Sequence, residues 1–570
     1  MAGRLSSGRH LAGSLNQHCE PPSVVHPLNH RIADTIFRQD VIGFLVRKQN
    51  SLLLLFLTLV LVACGENNGI ATTSEPERSL VRGIGGDPET LDPGLAEDVH
   101  AFSVLIDTFE GLVTENAAGQ IVPGVAETWD ISEDATTYTF HFRKDVRWSN
   151  GDPVVASDFV RAMRRVADPE SLSPYASLLS PIMHFDDVAA GRKPPDVLAV
   201  TAISDEALEI RLAAPASHFL AVLTLPVAFP RHESGDTSIS NGAYVLTNWE
   251  PGGRIQTRKN PHYWIADAVY FNDVTYLPVV NSTAEFNMFR TGELDMTSNI
   301  PDSLVAGMLR DGQADAHISA SLSMYYLAFD MTGPPFDNPS LRQALSMAID
   351  RKAIVEILGR GDQPAFSIVP PGVSGYDGYT YEWADWSDAE RKQQATRLYD
   401  VAGYTVDNPL QITFVYDAGG VHEKIALAVT AMWSEVLGVE TTIEKREWKY
   451  FLDTRELREE WDAMRFAWVG DYNAPNTFLD IFRSGDEQNL AAYSSADFDK
   501  LMVDAAHQDD LRTAAEFLRS AESVVLNDYP IAPLYFYASK HMVDASIGGY
   551  ENNIVDRHAS RFLFRKPGNR

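Results

Sequence analysis

A short apolar segment near the amino terminus indicates in which compartment the rest of this chain folds. Residues 51–63 read SLLLLFLTLVLVA and carry no charge, and the basic pair Arg47 and Lys48 precedes them. These 13 residues are too few to cross a bilayer, because a spanning helix needs about 20 apolar residues. A basic flank before a short apolar stretch that ends in small residues is typical of an export signal. No second apolar run near 20 residues follows, so we expect the remaining chain to fold in water outside the cytoplasm.

The segment ends in LVACG, residues 61–65, which resembles the lipobox of bacterial lipoproteins. In a lipobox the cysteine receives the lipid, and the peptide bond before it is cut. We therefore predict that residues 1–63 are removed, that Cys64 is lipidated, and that translation starts downstream of Met1. Residues 64–79 are polar and predict a flexible tether between the lipid and the folded body. The alternative for Cys64 is a buried free cysteine beside a short core helix.

The balance of charge argues against nucleic acid as a partner. The chain has 47 Lys and Arg residues against 78 Asp and Glu residues, and removal of residues 1–63 changes the net charge from -31 to -34. Such a surface repels the phosphates of nucleic acids and anionic lipids, so membrane contact is expected through the lipid anchor alone. Cys19 and Cys64 are too few for a disulfide framework or a cysteine-built zinc site. We expect no metal and no cofactor.

Apolar periodicity predicts a mixed α/β body, and 570 residues allow about three to five domains. The alternating stretch over 137–142 predicts a strand. A strand over 410–416, a helix over 421–437 and a strand over 439–445 predict a β-α-β unit. Apolar residues at helical spacing predict one long helix over 339–358. We find no internal repeat of the kind that builds solenoids or propellers.

The sequence carries no signature of catalysis. It lacks G-x-S-x-G, H-E-x-x-H, a P-loop, and a G-x-G-x-x-G that follows a strand. The pair His422 and Glu423 lacks the second histidine that zinc would need. A pair of carboxylates suited to glycoside hydrolysis can exist without any spacing that identifies it. A secreted hydrolase therefore stays open as an alternative, although we predict that the protein is not an enzyme.

Nine segments in a fixed order carry a resemblance across nearly the whole predicted mature chain. They are GGDPETLDP (85–93), FEGLV (109–113), IVPGVAETWDIS (121–132), TYTFHFRKDVRWSNGDPV (137–154), DFVRAMRRVADPESLSPYAS (158–177), SNGAYVLTNWEPGGRIQTRKNPHYW (240–264), PPFDNPSLRQALSMAIDRKAIV (334–355), WVGDYNAPNTFLD (468–480) and YPIAPLYFYASKHMV (529–543). Together they resemble the bacterial periplasmic oligopeptide-binding proteins, which belong to the peptide- and nickel-binding group of solute receptors for ABC importers. Any single segment is weak, but the ordered series is specific.

The resemblance implies an α/β clamp of the periplasmic-binding-protein type II, with two lobes around a cleft and an extra inserted domain. Lobe I would be discontinuous and comprise residues 80–109, 237–322 and 537–570. Residues 110–236 would form the inserted domain II, and residues 323–536 would form lobe III.

A receptor for peptides of varied sequence has to bind the groups that all peptides share. The resemblance implies that Asp471, in WVGDY, binds the peptide amine, since a hydrogen bond to a charged group contributes roughly 1.5–3 kcal/mol. The alternative for Asp471 is a side chain that caps a local turn. The family's cationic positions for the peptide carboxylate correspond to His422, Arg455 and Arg465. The start of a helix at His422 would also favour an anion.

The remaining contacts that the resemblance implies are with the peptide backbone and with side-chain pockets. Extended peptides would pair with a strand edge, and water in the pockets would tolerate varied side chains. These contact residues are Glu97, Val99, Tyr175, Tyr326, Ala467, Trp468 and Val469. For a lone aromatic residue, a place in the core is the alternative. Enteric relatives carry a disulfide at the positions of Ser323 and Val469, so this chain is expected to hold that junction without a covalent bond.

The resemblance implies a monomeric, lipid-anchored receptor in the periplasm or on the cell surface. It would close over a short peptide by hinge motion and deliver it to the membrane permease subunits of an ABC importer. Receptors for dipeptides, murein peptides or nickel chelates are the alternatives within the family. A secreted hydrolase predicts turnover instead, and a chaperone-like surface protein predicts binding of unfolded chains.

Overall fold

A computed structural model of the protein describes residues 78–457, 461–508 and 511–567, without the side chains of residues 453, 455–457 and 511. The predicted export signal, Cys64 and all but the last two residues of the predicted tether lie outside these residues. The side chain of Arg455 lies outside them as well. None of the helices in these ranges combines the length and the apolar character that a membrane span requires.

Strands and helices are mixed along the described residues. The strands, in chain order, are β1 (Ser79–Gly83), β2 (Val113–Glu115), β3 (Ile121–Pro123), β4 (Ala126–Ile131), β5 (Thr137–Phe142), β6 (Val200–Ser204), β7 (Ala207–Arg211), β8 (Tyr244–Trp249), β9 (Ile255–Lys259), β10 (Asp273–Leu277), β11 (Ala316–Phe329), β12 (Gln363–Pro364), β13 (Gln411–Asp417), β14 (Glu440–Arg446), β15 (Ala463–Val469), β16 (Ile531–Met542), β17 (Ile547–Gly548) and β18 (Phe564–Arg565). The α-helices are α1 (Val99–Thr108), α2 (Ala156–Ala167), α3 (Phe185–Ala189), α4 (Phe219–Val222), α5 (Ser282–Thr291), α6 (Asp302–Asp311), α7 (Pro339–Ala348), α8 (Arg351–Leu358), α9 (Asp388–Val401), α10 (His422–Leu437), α11 (Trp448–Leu457), α12 (Asn476–Leu479), α13 (Ala496–Ala506) and α14 (Leu511–Asp528). The predicted α/β class is confirmed.

The strands form three larger sheets in the described part of the chain. One has the order β1-β10-β9-β8, and a second, antiparallel sheet has the order β4-β5-β7-β6. The third has six strands in the order β12-β16-β11-β15-β13-β14. In it β13 runs parallel to both β14 and β15, whereas β11 runs antiparallel to β15 and β16. This six-stranded sheet carries most of the candidate site.

The predicted β-α-β unit is confirmed as β13, α10 and β14. β13 and β14 are parallel partners from Gln411 opposite Glu440 to Asp417 opposite Arg446. The helix between them ends where Gly438 adopts a φ of 76°, a left-handed conformation that glycine reaches without steric cost. The unit therefore places the end of β13 and the start of α10 side by side.

The prediction of one continuous helix over 339–358 is wrong. The chain forms two helices, α7 and α8, which are separated at Ile349 and Asp350. The extended backbone of Asp350 lets its carboxylate accept a hydrogen bond of 3.0 Å from the amide of Ala353. This N-cap starts a new helix, because a capping residue lies outside the helical conformation.

Buried apolar side chains form two large cores. The first core draws on residues between 322 and 536. The second draws on residues between 80 and 296, and Tyr472, Ala474 and three residues beyond 540 complete it. β11 and β16 pair from Ala328 opposite Ile531 to Ala316 opposite Met542, and one end of this ladder lies in the first core. The loop after β15 thus leaves one core and enters the other.

Candidate functional site

β15 presents an open edge beyond its first two residues. It pairs with β11 along its length, but its ladder with β13 contains only Ala463 and Met464. The amide of Gly470 donates to the carbonyl of Leu322 at 2.7 Å. Because antiparallel partners alternate in the direction of their amides, the amides of Ala467 and Val469 face away from β11. Unpaired amides at a strand edge are the groups with which an extended chain can pair.

Asp471 lies two residues beyond β15, and other segments fix it in place. Its carboxylate accepts a hydrogen bond of 3.1 Å from the hydroxyl of Tyr175. Its amide donates to Thr477 Oγ1 at 3.2 Å, and Arg557 Nη2 donates to its carbonyl at 2.5 Å. Burial raises the pKa of Asp471, and the bond from Tyr175 and the charge of Arg557 oppose that rise. A carboxylate offers about four acceptor sites, so the bond from Tyr175 leaves capacity for an ammonium group.

A second group of predicted contact residues lies around Tyr175. The ring of Tyr175 packs 6.1 Å from that of Phe102, a residue of α1. Burial, the charge of Asp471 and the charge of Glu97 raise the pKa of the Tyr175 phenol, which therefore remains a donor. Glu97 and Val99 are exposed just before and at the start of α1. Two acidic side chains thus face one phenol, a setting that attracts a cation.

The candidate carboxylate-binding residues lie deeper in the same sheet. Arg465 of β15 is ion-paired with Asp417 at the end of β13, and each side chain is 8% exposed. The guanidinium of Arg465 also lies 5.0 Å from the centre of the Phe451 ring. His422 begins α10, and its Nε2 lies 3.9 Å from Asp417 Oδ1. The end of β13 therefore brings two of the three predicted cations together around one carboxylate.

His422 is uncharged at neutral pH in this arrangement. Burial and the charge of Arg465 lower the pKa of His422 to about 4, and the charge of Asp417 opposes this effect. The imidazole stacks 5.7 Å from the ring of Tyr325. Its Nδ1 and the Tyr325 hydroxyl are both buried without a hydrogen-bond partner. His422 thus offers a peptide a neutral ring, and the prediction that it binds the carboxylate stays a prediction.

The chain matches one family model over residues 120–489, more than half of its length. That model is described as bacterial extracellular solute-binding proteins, family 5 middle. The chain belongs to this family. Its members are substrate-binding proteins and not enzymes.

Named relatives of this solute-binding protein are similar over most of its length. OppA of Salmonella typhimurium, a periplasmic oligopeptide-binding protein, is 37% identical over 489 residues, which are 83% of this chain and 90% of OppA. The murein tripeptide-binding protein MppA in its unliganded open form superposes with a TM-score of 0.79 at 33% identity, covering 86% of this chain and 98% of MppA. OppA of Haemophilus influenzae in complex with RPPGFSPFR gives a TM-score of 0.70 at 31% identity, covering 86% and 99%. The predicted resemblance and the type II fold are confirmed.

The remaining predicted contact residues of this solute-binding protein occupy different surroundings. Trp468 is half-buried, and its Nε1 donates to the carbonyl of Thr477 at 2.6 Å. Tyr326 is 3% exposed and packs 5.9 Å from the ring of Phe466. The structure therefore places Tyr326 in the core and not at the open edge of β15. Its neighbour Tyr325, which faces His422, was not among the sequence-predicted residues.

Three residues around the site are not among those that the sequence predicts. Asp417 follows the predicted strand 410–416, and a polar residue at the end of a buried strand is a signal that could have identified it. Thr477 and Arg557 reach Asp471 from a later helix and from the carboxy-terminal segment. No local pattern marks these two residues, because their contacts depend on tertiary packing.

One cluster in the described part of the chain combines residue types that bind metals. Asp556 Oδ1 lies 2.8 Å from His541 Nε2 and 3.2 Å from His558 Nε2. His541 Nδ1 donates to the carbonyl of Thr297 at 2.9 Å, while the amide nitrogen of Asn553 faces His558 Nδ1 at 3.4 Å. His558 therefore carries its proton on Nε2, where a metal would need a lone pair. The cluster suits a hydrogen-bond network between the end of β16 and the carboxy-terminal segment better than a metal centre.

Proposed function

We propose that this solute-binding protein captures short peptides in the periplasm or at the cell surface and delivers them to the permease subunits of an ABC-type peptide importer. The observation that carries the proposal is the position of Asp471. Its carboxylate lies beyond the open edge of β15, beside the Tyr175 hydroxyl and with acceptor capacity for an ammonium. Relatives named for oligopeptide binding support the same ligand class.

The peptide would bind through groups that are independent of its sequence. Its amine would bind Asp471, and its extended backbone would pair with the amides of Ala467 and Val469. Its carboxylate would reach Arg465 or His422, or Arg455 for another peptide length. Main-chain pairing ignores side-chain identity, which accounts for broad acceptance of peptide sequences.

The lobes of the receptor would be those that the sequence predicts. Lobe I would comprise residues 80–109, 237–322 and 537–570, with domain II at 110–236 and lobe III at 323–536. The separation of the two apolar cores supports this division. The long ladder of β11 with β16 connects them, so hinge motion between the cores would open and close the cleft.

The receptor would work as a monomer held at the membrane by lipidated Cys64. The apolar segment 51–63 with its basic flank supports export, and the motif at 61–65 supports lipidation. Neither catalysis nor a cofactor is part of the proposed function, because capture and delivery need binding alone.

A receptor for murein peptides is the second candidate function. MppA of Escherichia coli, named a periplasmic murein peptide-binding protein, is 33% identical over 507 residues, which supports it. Murein peptides share the amine and the carboxylate with ordinary oligopeptides, so the same site would serve both ligands. Peptides that co-purify with the protein, identified by mass spectrometry, would distinguish the two candidates.

Calorimetry of the mature protein with peptides of about two to eight residues tests the proposed function. Each peptide is supplied with a free or an acetylated amine. We expect stoichiometric binding of the free-amine forms, at least tenfold weaker binding of the acetylated forms, and no turnover. Equal affinity for both forms would contradict the role of Asp471, and release of hydrolysed product would favour a hydrolase.

A further inference from the structure

Arg465 already has a carboxylate partner inside the protein. Asp417 accepts a hydrogen bond from Arg465 Nε and is ion-paired with Arg465 Nη2. Because each side chain is 8% exposed, water screens the pair only weakly. The cation that is proposed to bind a peptide carboxylate is therefore neutralised before any peptide arrives.

We propose that Asp417 competes with the peptide carboxylate for Arg465 and thereby determines which peptide lengths the receptor prefers. This inference rests on the proposed function and adds a specificity-determining residue to it. A peptide that ends at Arg465 brings a second negative charge beside Asp417. A peptide that ends elsewhere leaves the pair of Asp417 and Arg465 intact.

Among the described residues, the cations near Asp417 have other partners: Arg446, opposite Asp417 in the ladder of β13 and β14, donates to Glu444 Oε2 at 2.7 Å. His422 Nε2 lies 3.9 Å from Asp417 Oδ1, but its imidazole is neutral at neutral pH. Arg360, whose charge also acts on His422, donates two hydrogen bonds of 2.9 and 2.7 Å to Asp362. Two carboxylates on one buried guanidinium therefore repel each other with little compensation. The repulsion affects only those peptides whose carboxylate reaches Arg465.

The distance along β15 limits the affected peptides to short ones. Arg465 and Asp471 are six residues apart, so their Cα atoms lie at most about 22 Å from each other. A peptide that joins the two groups therefore covers at most about this distance. Peptides of about three to five residues would connect the two positions.

Replacement of Asp417 by asparagine, in the full mature protein, tests the inference. Asparagine keeps an oxygen that accepts from Arg465 but removes the competing charge. The first step identifies the peptide length that depends on Arg465. It is the length whose affinity for the receptor falls most in Arg465→Gln. We expect Asp417→Asn to bind that class about tenfold more tightly and to leave other lengths within about twofold, since a hydrogen bond to a charged group corresponds to roughly 10- to 100-fold in affinity.

Asp462→Asn is the matched control. Asp462 lies just before β15 and accepts a hydrogen bond of 2.7 Å from the amide of Thr413, so the same charge is removed from the same sheet. It should not change the length profile. In the double variant Asp417→Asn with Arg465→Gln, the length-selective gain should disappear, whereas a merely structural role of Asp417 would change the affinity for all lengths alike.

The outcomes separate the inference from the function on which it rests. If the wild-type protein binds peptides but Asp417→Asn changes all lengths equally or none, this inference alone is wrong. If the wild-type protein binds no peptide, the proposed function and the inference both fall. If Asp417→Asn does not fold, the inference is tested on the wild-type protein with peptides whose terminal carboxylate is replaced by a carboxamide. In the Arg465-dependent length class, the carboxamide peptides should then bind less than about threefold more weakly than the carboxylate peptides. A larger loss of affinity in this class than in peptides of other lengths would overturn the inference.

Discussion

Replacing Asp471 by asparagine is expected to weaken the binding of peptides with a free amine while the fold stays intact. Asparagine keeps a side-chain oxygen that can accept from the hydroxyl of Tyr175. The bonds to Thr477 and Arg557 involve the main chain of residue 471, so the substitution does not remove them. The change is therefore confined to the negative charge that would face the ammonium.

The expected loss of affinity follows from the difference between a charged and a neutral hydrogen bond. A bond to a charged group contributes roughly 1.5–3 kcal/mol, and a neutral bond contributes about 1 kcal/mol. The exchange thus costs about 0.5–2 kcal/mol, which corresponds to roughly a 2- to 30-fold loss of affinity. The upper end applies if closure buries the ammonium, because an unpaired buried charge carries an additional penalty.

Calorimetry with free and acetylated peptides, on the wild-type protein and on Asp471→Asn, forms a complete cycle. We expect the substitution to affect the free-amine peptides and to leave the acetylated peptides within about twofold. Asp407→Asn, in an exposed loop, controls for the loss of one negative charge from an acidic protein. Equal losses for free and acetylated peptides would refute the reasoning, because the carboxylate would then act on the fold and not on the amine.

Three further predictions concern neighbouring groups and the membrane anchor. Tyr175→Phe removes a bond that lowers the pKa of Asp471, so the acid-side loss of peptide affinity should move to higher pH; an unchanged pH profile would contradict this. His422 has a pKa of about 4 in the folded protein, below its ordinary value of 6.5, so the unfolded chain binds the proton first as the pH falls. Its contribution to the free energy of unfolding should drop by roughly 2 kcal/mol between pH 7.5 and 4.5. In urea titrations at both pH values His422→Gln should lose less stability on acidification than the wild-type protein, and equal losses would contradict the shift. Cys64→Ser should move the protein from the membrane fraction to the soluble fraction, and continued membrane retention would contradict lipid anchoring.

Local sequence patterns predict those parts of the fold that depend on near neighbours. Alternation and helical spacing identify β5 and the unit of β13, α10 and β14, since each buries one face against adjacent segments. The same spacing continues across Asp350, where the cap divides α7 from α8. Apolar periodicity alone does not detect such a break, because the residues on both sides face the same core.

The site depends on contacts that no local pattern encodes. Asp471 was identified through a family motif, but its partners Tyr175 and Arg557 come from distant parts of the chain. Tyr326 illustrates the opposite case, because it matches a pocket position and yet is 3% exposed and packs against Phe466. Adjacent residues of a strand point to opposite faces, so a one-residue difference separates Tyr326 from Tyr325, the residue that faces His422.

The loop after β15 has a consequence for closure of the cleft. Tyr472 and Ala474 are part of the second core, and the ring of Tyr472 stacks 5.4 Å from that of His218. Asp471, which falls within the proposed lobe III, thus lies beside a segment of the second core, and its partners Tyr175 and Arg557 come from domain II and lobe I. We therefore expect closure to complete the amine position, so that a bound peptide amine stabilises the closed form.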